Sequence, residues 1–228
     1  MNRILILGAS GFIGRTIYLE LRSYFDVIGT YCTNGKEYGK NKAYLKYCLE
    51  ENSLNNILEK VQPTIIISSL RGDYTHQLAA HNQLCNYVKD SNYSSLIYLS
   101  SVKVFDGKFM FPSYENDTPF PESTYGKFKA SVERLLLNNI PEKSTVLRLP
   151  IALGIDSPRI LQLRQSIKHE ASFEVYPNLS ISITTANKVA QQIHYIINKA
   201  LYGVFHLASD DMILHEDLFR EITSKMGT

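Results

Sequence analysis

Several features that define other classes of protein are missing from this sequence. It has no tryptophan and only three cysteines, Cys32, Cys48 and Cys85, which are widely spaced and contain no C-x-x-C pair. This usage predicts reduced thiols rather than a disulfide framework or a zinc site. The histidines are scattered without the spacing of metal ligands, so no bound metal is expected.

Charge and hydropathy exclude further classes. The 24 basic and 22 acidic residues are interspersed and leave a net charge of +2, which indicates no surface for nucleic acid or an anionic membrane. No apolar run approaches the roughly 20 residues that span a bilayer. The first residues lack the charged and apolar regions of a signal peptide. We therefore expect a cytoplasmic protein that binds neither nucleic acid nor membrane.

What the chain does contain is an alternation of short apolar runs and amphipathic segments of helical length. The apolar runs predict strands at 4–7, 26–30, 64–68, 96–99 and 145–149. The amphipathic segments predict helices from residue 13 to 21 and at 54–61, 75–90 and 124–138, with loops at 31–43 and 106–121. This order predicts right-handed crossovers and an α/β fold with a doubly wound parallel sheet.

The pattern changes after Pro150. Helices are predicted at 158–169 and 185–199, and short strands near 179–184 and 203–207. We therefore predict that residues 1–150 form the core. Residues 151–228 form a smaller part, interleaved with the core, above its ligand crevice.

Glycines occur at every third position directly after the first strand. Gly8 allows a tight turn, Gly11 allows close approach of a pyrophosphate, and Gly14 allows the helix to pack on the strand. Backbone N–H groups at the start of the following helix attract a phosphate. The motif predicts a dinucleotide site, with an ordinary strand–helix turn as the alternative.

The end of the second strand indicates which dinucleotide binds. An acidic residue there would bind the 2′-hydroxyl of NAD, but this chain has none. The hydroxyls of Thr30 and Thr33 and the ammonium of Lys36 suit a 2′-phosphate, so NADP is favoured over NAD.

Two further patterns indicate proton transfer. Tyr125 and Lys129 are four residues apart on a predicted helix, so they share one face, and the ammonium is expected to lower the pKa of the phenol. Ser100 and Ser101 follow a predicted strand, where a hydroxyl can bind a substrate carbonyl. A surface Tyr–Lys pair and a serine turn are the alternatives.

Taken in order, these motifs resemble the extended short-chain dehydrogenase/reductase family. The residues 104–107, Val-Phe-Asp-Gly, are most similar to its dTDP-4-dehydrorhamnose reductase branch. Further similarity extends over 114–121, 147–150 and 203–207, so it covers nearly the whole chain.

The resemblance implies a Rossmann fold with a shortened C-terminal substrate-binding part, and it assigns roles by position. Ser101 matches the catalytic Ser/Thr, Tyr125 the general acid, Lys129 the lysine that activates the tyrosine and binds ribose, and Asn82 a helix asparagine near the active site. Lys103, like Arg148, is a candidate to meet substrate phosphates, and solvated charge is the alternative. The remaining implied cofactor contacts are Ser10, Phe12, Ile13, Ser68, Ser69, Leu70, Leu149 and Pro150, and Ser100 is an implied substrate contact.

The function implied is an enzyme, an NADP-dependent reductase of a 4-keto (deoxy) sugar nucleotide in surface polysaccharide biosynthesis of the bacterial type. Val102 and Lys103 replace the Asp–Glu pair of the family's dehydratases, which argues against dehydration. Two alternatives remain open: an epimerase with tightly bound NAD, and a non-catalytic, cofactor-binding regulatory subunit. The short C-terminal part favours the second alternative, or a homodimer in which a second copy completes the pocket.

Overall fold

The computed structural model describes residues 2–33, 35–51, 53–109, 112–209 and 211–226, and within these ranges a seven-stranded parallel sheet forms the centre. The strands are β1 (Arg3–Leu7), β2 (Asp26–Tyr31), β3 (Tyr44–Lys46), β4 (Ile65–Ser68), β5 (Ser95–Ser101), β6 (Ser144–Leu149), β7 (Ile151–Leu153), β8 (Ser180–Thr185), β9 (Gly203–His206) and β10 (Met212–Leu214). The order across the central sheet is β3-β2-β1-β4-β5-β6-β9. The predicted doubly wound α/β fold is therefore confirmed.

Helices connect the strands and cover both faces of the sheet. They are α1 (Phe12–Leu21), α2 (Gly35–Tyr38), α3 (Leu54–Val61), α4 (Tyr74–Asp90), α5 (Thr124–Asn139), α6 (Pro158–Lys168), α7 (Ala186–Lys199) and α8 (His215–Lys225). Short 3₁₀ turns occupy Val102–Phe105 and Pro141–Lys143. Across the described part of the chain, no helix combines the length and the apolar character that a membrane crossing requires.

The central strand β1 shows how the core is divided between the two faces. Ile4 and Ile6 pack in the cluster under α1 and α7, whereas Leu5 and Leu7 pack in the cluster under α3, α4 and α5. Successive strand residues point to opposite faces. An apolar residue at every position is therefore required where both faces are covered.

The chain beyond residue 150 contributes to two layers. Helix α7 packs on α1, and β9 extends the central sheet beside β6. By contrast, β7, β8 and β10 form a second sheet, in the order β10-β8-β7. Helices α6 and α8 pack with this second sheet around a small separate core of Ile160, Leu163, Leu218 and Phe219.

Several short elements were not predicted. Residues 31–43, expected as a loop, contain the one-turn helix α2, and β3 follows directly after them. Strands β7 and β10 have three residues each, and α8 has a mostly polar sequence, so their apolar signal is weak. The expected loop 106–121 includes residues 110 and 111, which lie outside the described residues.

The cysteine prediction is wrong for two of the three thiols. Cys32 and Cys48 form a disulfide, with their Cα atoms 4.9 Å apart. Cys32 follows β2 and Cys48 follows β3, and these parallel strands are neighbours with Tyr31 paired to Lys46. Their ends are therefore adjacent although the cysteines are 16 positions apart in sequence. Cys85 is a free, buried thiol on α4.

Candidate functional site

A cavity of about 500 Å³ lies at the carboxyl ends of β4, β5 and β6, where doubly wound sheets bind ligands. It contains most of the residues that the sequence predicted for the site: Gly11, Phe12, Ile13, Gly14, Ser69, Leu70, Ser100, Ser101, Tyr125, Lys129, Leu149 and Pro150. These residues come from the start of α1, the ends of three strands and the first turns of α5. The parallel topology thus brings distant motifs to one place.

The glycine turn at this cavity is closely packed. Gly8 has φ +80°, and a Cβ there would lie 2.6 Å from the carbonyl oxygen of Ser69. A Cβ on Gly14 would overlap the carbonyl oxygen of Gly8. Both positions therefore require glycine, because a side chain would separate α1 from the strand ends.

The first turn of α1 fits an anionic ligand. The first hydrogen bond of the helix runs from Arg15 N to Gly11 O at 2.8 Å, and Gly11 provides no side-chain cap. The N–H groups of Phe12, Ile13 and Gly14 precede that bond, so they have no acceptor within the helix. All three residues line the cavity. This set of donors at a helix N-terminus fits the pyrophosphate of a dinucleotide.

The three residues predicted to select NADP lie in two different environments, and none of them lines the cavity. Thr30 is buried, and its hydroxyl accepts a hydrogen bond from Gly8 N at 2.9 Å, so it stabilises the turn instead of facing a ligand. Thr33 and Lys36 are exposed beyond the end of β2, outside the cavity lining. Ser10 N donates to Thr30 O at 3.2 Å, which also positions the turn.

Arg15 is an exposed cation on α1 that the sequence analysis did not single out, and it does not line the cavity. Burial raises the pKa of Tyr38 on α2, and the charge of Arg15 opposes that rise. The positive charge of Arg15 therefore acts on α2, the helix that carries Lys36. The interaction depends on how α1 packs beside the connection after β2, which the sequence does not show.

Ser68 and Ser69 have structural hydrogen bonds. Ser69 Oγ donates to Leu7 O at 2.8 Å, and Ser68 Oγ lies 2.9 Å from Nε2 of the buried His81. Nδ1 of His81 lies 2.6 Å from Gln77 O, so Nδ1 carries the proton and Nε2 accepts from Ser68. Burial lowers the pKa of His81 to about 4, which keeps the ring neutral.

Ser101, Tyr125 and Lys129 form the chemical centre of the cavity. Ser123 caps α5 by accepting from Gly126 N at 3.0 Å, which places Tyr125 in the first turn and Lys129 in the next. The ammonium of Lys129 donates to Leu99 O at 2.7 Å and lies 5.7 Å from the centroid of the Tyr125 ring. Ser101 lies on the same cavity wall and acts on the phenol of Tyr125, whose pKa it lowers.

The expectation that Lys129 lowers the pKa of Tyr125 is wrong in this structure. Burial raises the pKa of Tyr125 above its ordinary value, while Ser101 and the charge of Arg71 oppose the rise. Burial also lowers the pKa of Lys129 to about 8, and the carboxylate of Glu133 opposes that change. At neutral pH the phenol therefore keeps its proton, as a general acid must, and the ammonium is largely charged.

A buried ion pair lies behind Ser100. The Ser100 hydroxyl donates to the carboxylate of Glu133, which pairs with Arg148 at 2.9 Å. Both charged side chains are almost fully buried. Arg148 is therefore bound to Glu133 and does not line the cavity. The prediction that it meets a substrate phosphate is not supported by this position. Lys103 is exposed on its 3₁₀ turn and does not line the cavity either.

Asn82 does not join the group around Tyr125. It is exposed on α4, and its amide donates to Leu78 O at 3.0 Å. Helix α4 instead presents Tyr74 and Gln77 to the cavity, together with Arg71 and Gly72 from the preceding turn. Listing the residues that directly follow each predicted strand would have found Arg71.

The parallel sheet, the glycine turn and the cavity at the strand ends define an α/β protein of the Rossmann type. A family model described as the RmlD substrate binding domain matches residues 1–228. The chain therefore belongs to the RmlD substrate binding domain family. This confirms the resemblance to the dTDP-4-dehydrorhamnose reductase branch.

Curated relatives carry two kinds of name. Methionine adenosyltransferase 2 subunit beta from Danio rerio is 28% identical over 235 residues, which cover 93% of this chain and 70% of the relative. The Xenopus laevis protein of the same name is 32% identical over 67% of this chain, but the match spans only 48% of that relative. A dTDP-4-keto-6-deoxy-D-glucose reductase from Streptomyces niveus is 22% identical, covering 99% of this chain and 79% of the relative.

Solved structures share the fold. A hypothetical dTDP-4-dehydrorhamnose reductase from Sulfolobus tokodaii superposes with a TM-score of 0.79 at 22% identity, covering 98% of this chain and 82% of that one. The dTDP-glucose 4,6-dehydratase of Bacillus anthracis, in complex with NAD, gives a TM-score of 0.83 at 15% identity, covering 100% and 82%. At these identities the likeness concerns the fold.

Proposed function

We propose that this protein is an NADPH-dependent reductase of a 4-keto sugar nucleotide. The observation that supports this most strongly is the joint position of Ser101, Tyr125 and Lys129 in one cavity with the glycine turn. Membership of the RmlD substrate binding domain family and the similarity to a sugar-nucleotide reductase agree with this substrate class.

The residues of the chain perform the acid–base part of the reaction. When bound, NADPH supplies the hydride to the carbonyl carbon. Tyr125 donates its phenolic proton to the carbonyl oxygen, and Ser101 donates a hydrogen bond to the same oxygen. The positive charge of Lys129 stabilises the phenolate that remains. The packing around Tyr125 is sufficient to raise its pKa, but 39% of the residue remains exposed. Solvent can therefore return the proton and complete the cycle.

Two groups of residues would hold the cofactor. The N–H groups of Phe12, Ile13 and Gly14 would bind its pyrophosphate. Arg15 and Lys36 provide positive charge near the end of β2, and the preference for NADPH over NADH rests on these two cations. Equilibrium binding of NADPH and NADH to the purified protein measures this preference directly.

A turnover screen tests the reaction itself. The protein is incubated with NADPH and a panel of 4-keto-6-deoxy sugar nucleotides, and cofactor oxidation and product are measured. We expect oxidation matched by formation of the 4-hydroxy product. Tightly bound NAD that survives purification, with interconversion of sugar epimers, would instead identify an epimerase.

A non-catalytic, cofactor-binding subunit is the second candidate. It is favoured by the relatives named methionine adenosyltransferase 2 subunit beta. Under this alternative the protein binds NADPH, reduces none of the ketones and forms a stable complex with a methionine adenosyltransferase. Size-exclusion chromatography of the two purified proteins, with and without NADPH, detects such a complex.

A further inference from the structure

One cation in the cavity, Arg71, has no partner among the residues that the structure describes. Arg71 follows Leu70 just beyond β4 and lines the cavity together with Tyr125 and Lys129. It is exposed, and no described residue forms a hydrogen bond or an ion pair with its guanidinium. Arg148, by contrast, is buried and paired with Glu133.

The backbone that carries Arg71 is held on both sides. Before it, Ser69 N donates to Leu7 O at 3.0 Å. After it, the Gln77 side chain donates to Gly72 O at 2.8 Å, and Asp73 caps α4 by accepting from two backbone N–H groups. Gly72 has φ +134°, a conformation that side chains disfavour. The turn is therefore held by hydrogen bonds, and it presents the exposed side chain of Arg71 at the cavity.

The charged side chains that line the cavity favour the binding of an anion. No acidic side chain lines it among the described residues, whereas Arg71 and Lys129 both do. Burial raises the pKa of Tyr125, and Arg71 acts against that rise. Burial lowers the pKa of Lys129, and Arg71 contributes to that lowering. The carboxylate of Glu133 acts on Lys129 from outside the cavity lining, and no carboxylate of the described residues lines the cavity beside Arg71. A ligand that supplies negative charge therefore stabilises these two neighbouring cations.

We propose that Arg71 binds a diphosphate oxygen of the nucleotide that occupies the cavity. This inference rests on the proposed function, because it deepens the description of the same site. The diphosphate belongs either to the sugar nucleotide or to the dinucleotide. The planar guanidinium binds phosphate oxygens through two parallel hydrogen bonds, which an ammonium cannot do.

Binding measurements with Arg71→Gln test the proposal without any turnover. The probes are inorganic pyrophosphate, dTDP-glucose, UDP-glucose and NADPH, each titrated alone. We expect Arg71→Gln to weaken pyrophosphate and at least one nucleotide about tenfold, since a charge-assisted hydrogen bond is lost. Arg71→Lys should recover part of the affinity, because lysine keeps the positive charge but cannot form the two parallel hydrogen bonds of a guanidinium.

Arg134→Gln is the matched control, since Arg134 is exposed on α5 and does not line the cavity. It should bind all four probes as the wild type does.

The outcomes for Arg71→Gln distinguish the two sources of the diphosphate. A loss of affinity confined to the sugar nucleotides assigns Arg71 to the substrate, and a loss confined to NADPH assigns it to the cofactor. Unchanged affinities in Arg71→Gln, or no binding of any probe by the wild type, overturn the proposal. If Arg71→Gln loses affinity but the wild type reduces no ketone, the anion site stands and the reductase function fails.

Discussion

At the scale of single residues, burial determines the protonation of the groups around the cavity. It raises the pKa of Tyr125 and lowers the pKa of Lys129 to about 8 and that of His81 to about 4. In each case burial shifts the pKa in the direction of the neutral form, because transfer from water penalises the charged form. As a consequence, Tyr125 is protonated at neutral pH and can donate its phenolic proton.

His81 makes stability depend on pH in the acidic range. Its pKa is about 4 in the folded protein and 6.5 as the ordinary value, so the unfolded chain binds more protons between these limits. The wild type should therefore lose stability relative to His81→Gln as the pH falls from 6.5 to 4, by up to about 1.4 kcal/mol per pH unit. Urea unfolding of both proteins across this range measures the difference. A difference that is constant with pH would contradict the assignment.

Gly14 should tolerate no side chain. In Gly14→Ala the new Cβ meets the backbone of Gly8, and we expect a loss of about 1–3 kcal/mol in the free energy of unfolding. Gly35→Ala is the control, because its Cβ would lie 3.9 Å from the nearest side-chain atom, on Tyr31. Thermal denaturation compares the two variants. Equal melting temperatures would show that the turn is looser than described.

At the scale of elements, the long strands and helices could be predicted because their signals are local. Strand β4 is a continuous apolar run, and α3 has its predicted bounds, 54–61. Strands β3 and β10 are three residues long and owe their existence to pairing with β2 and β8. Such pairing depends on strand order, which a local pattern does not contain.

The disulfide between the ends of β2 and β3 carries a prediction at this scale. It links two residues that are 16 positions apart, so its removal in the Cys32→Ser/Cys48→Ser variant should lower the free energy of unfolding by about 3 kcal/mol. Thiol titration of the unfolded, unreduced protein should find one free thiol, Cys85. Cys85→Ala, which keeps the disulfide, should show none. Three reactive thiols in the wild type would exclude the bridge.

At the scale of the whole molecule, the chain beyond residue 150 completes the core. Helix α7 buries Val189 and Ile193 beside α1, and β9 pairs with β6. A fragment of residues 1–150 should therefore show no cooperative unfolding, whereas a fragment of residues 1–207 should retain it. Urea denaturation followed by circular dichroism distinguishes them. Cooperative unfolding of the shorter fragment would show that the first 150 residues fold alone.

The candidate site was predictable to the extent that it depends on motifs. The glycine turn, Ser101, Tyr125 and Lys129 are recognisable from their spacing, and the structure brings them to one cavity. Asn82 was misplaced because a helix turns by about 100° per residue, so matching by position alone does not fix the face a side chain occupies. The role of Thr30 depends on contacts between distant segments, which only the folded chain brings together.

The most direct test of the account is turnover by Tyr125→Phe. This variant keeps the ring but loses the phenolic proton, so reduction of a 4-keto sugar nucleotide should slow by about 10²-fold or more. The affinity for NADPH should be preserved, because the glycine turn is untouched. Unchanged turnover by Tyr125→Phe would contradict the central claim that Tyr125 is the general acid.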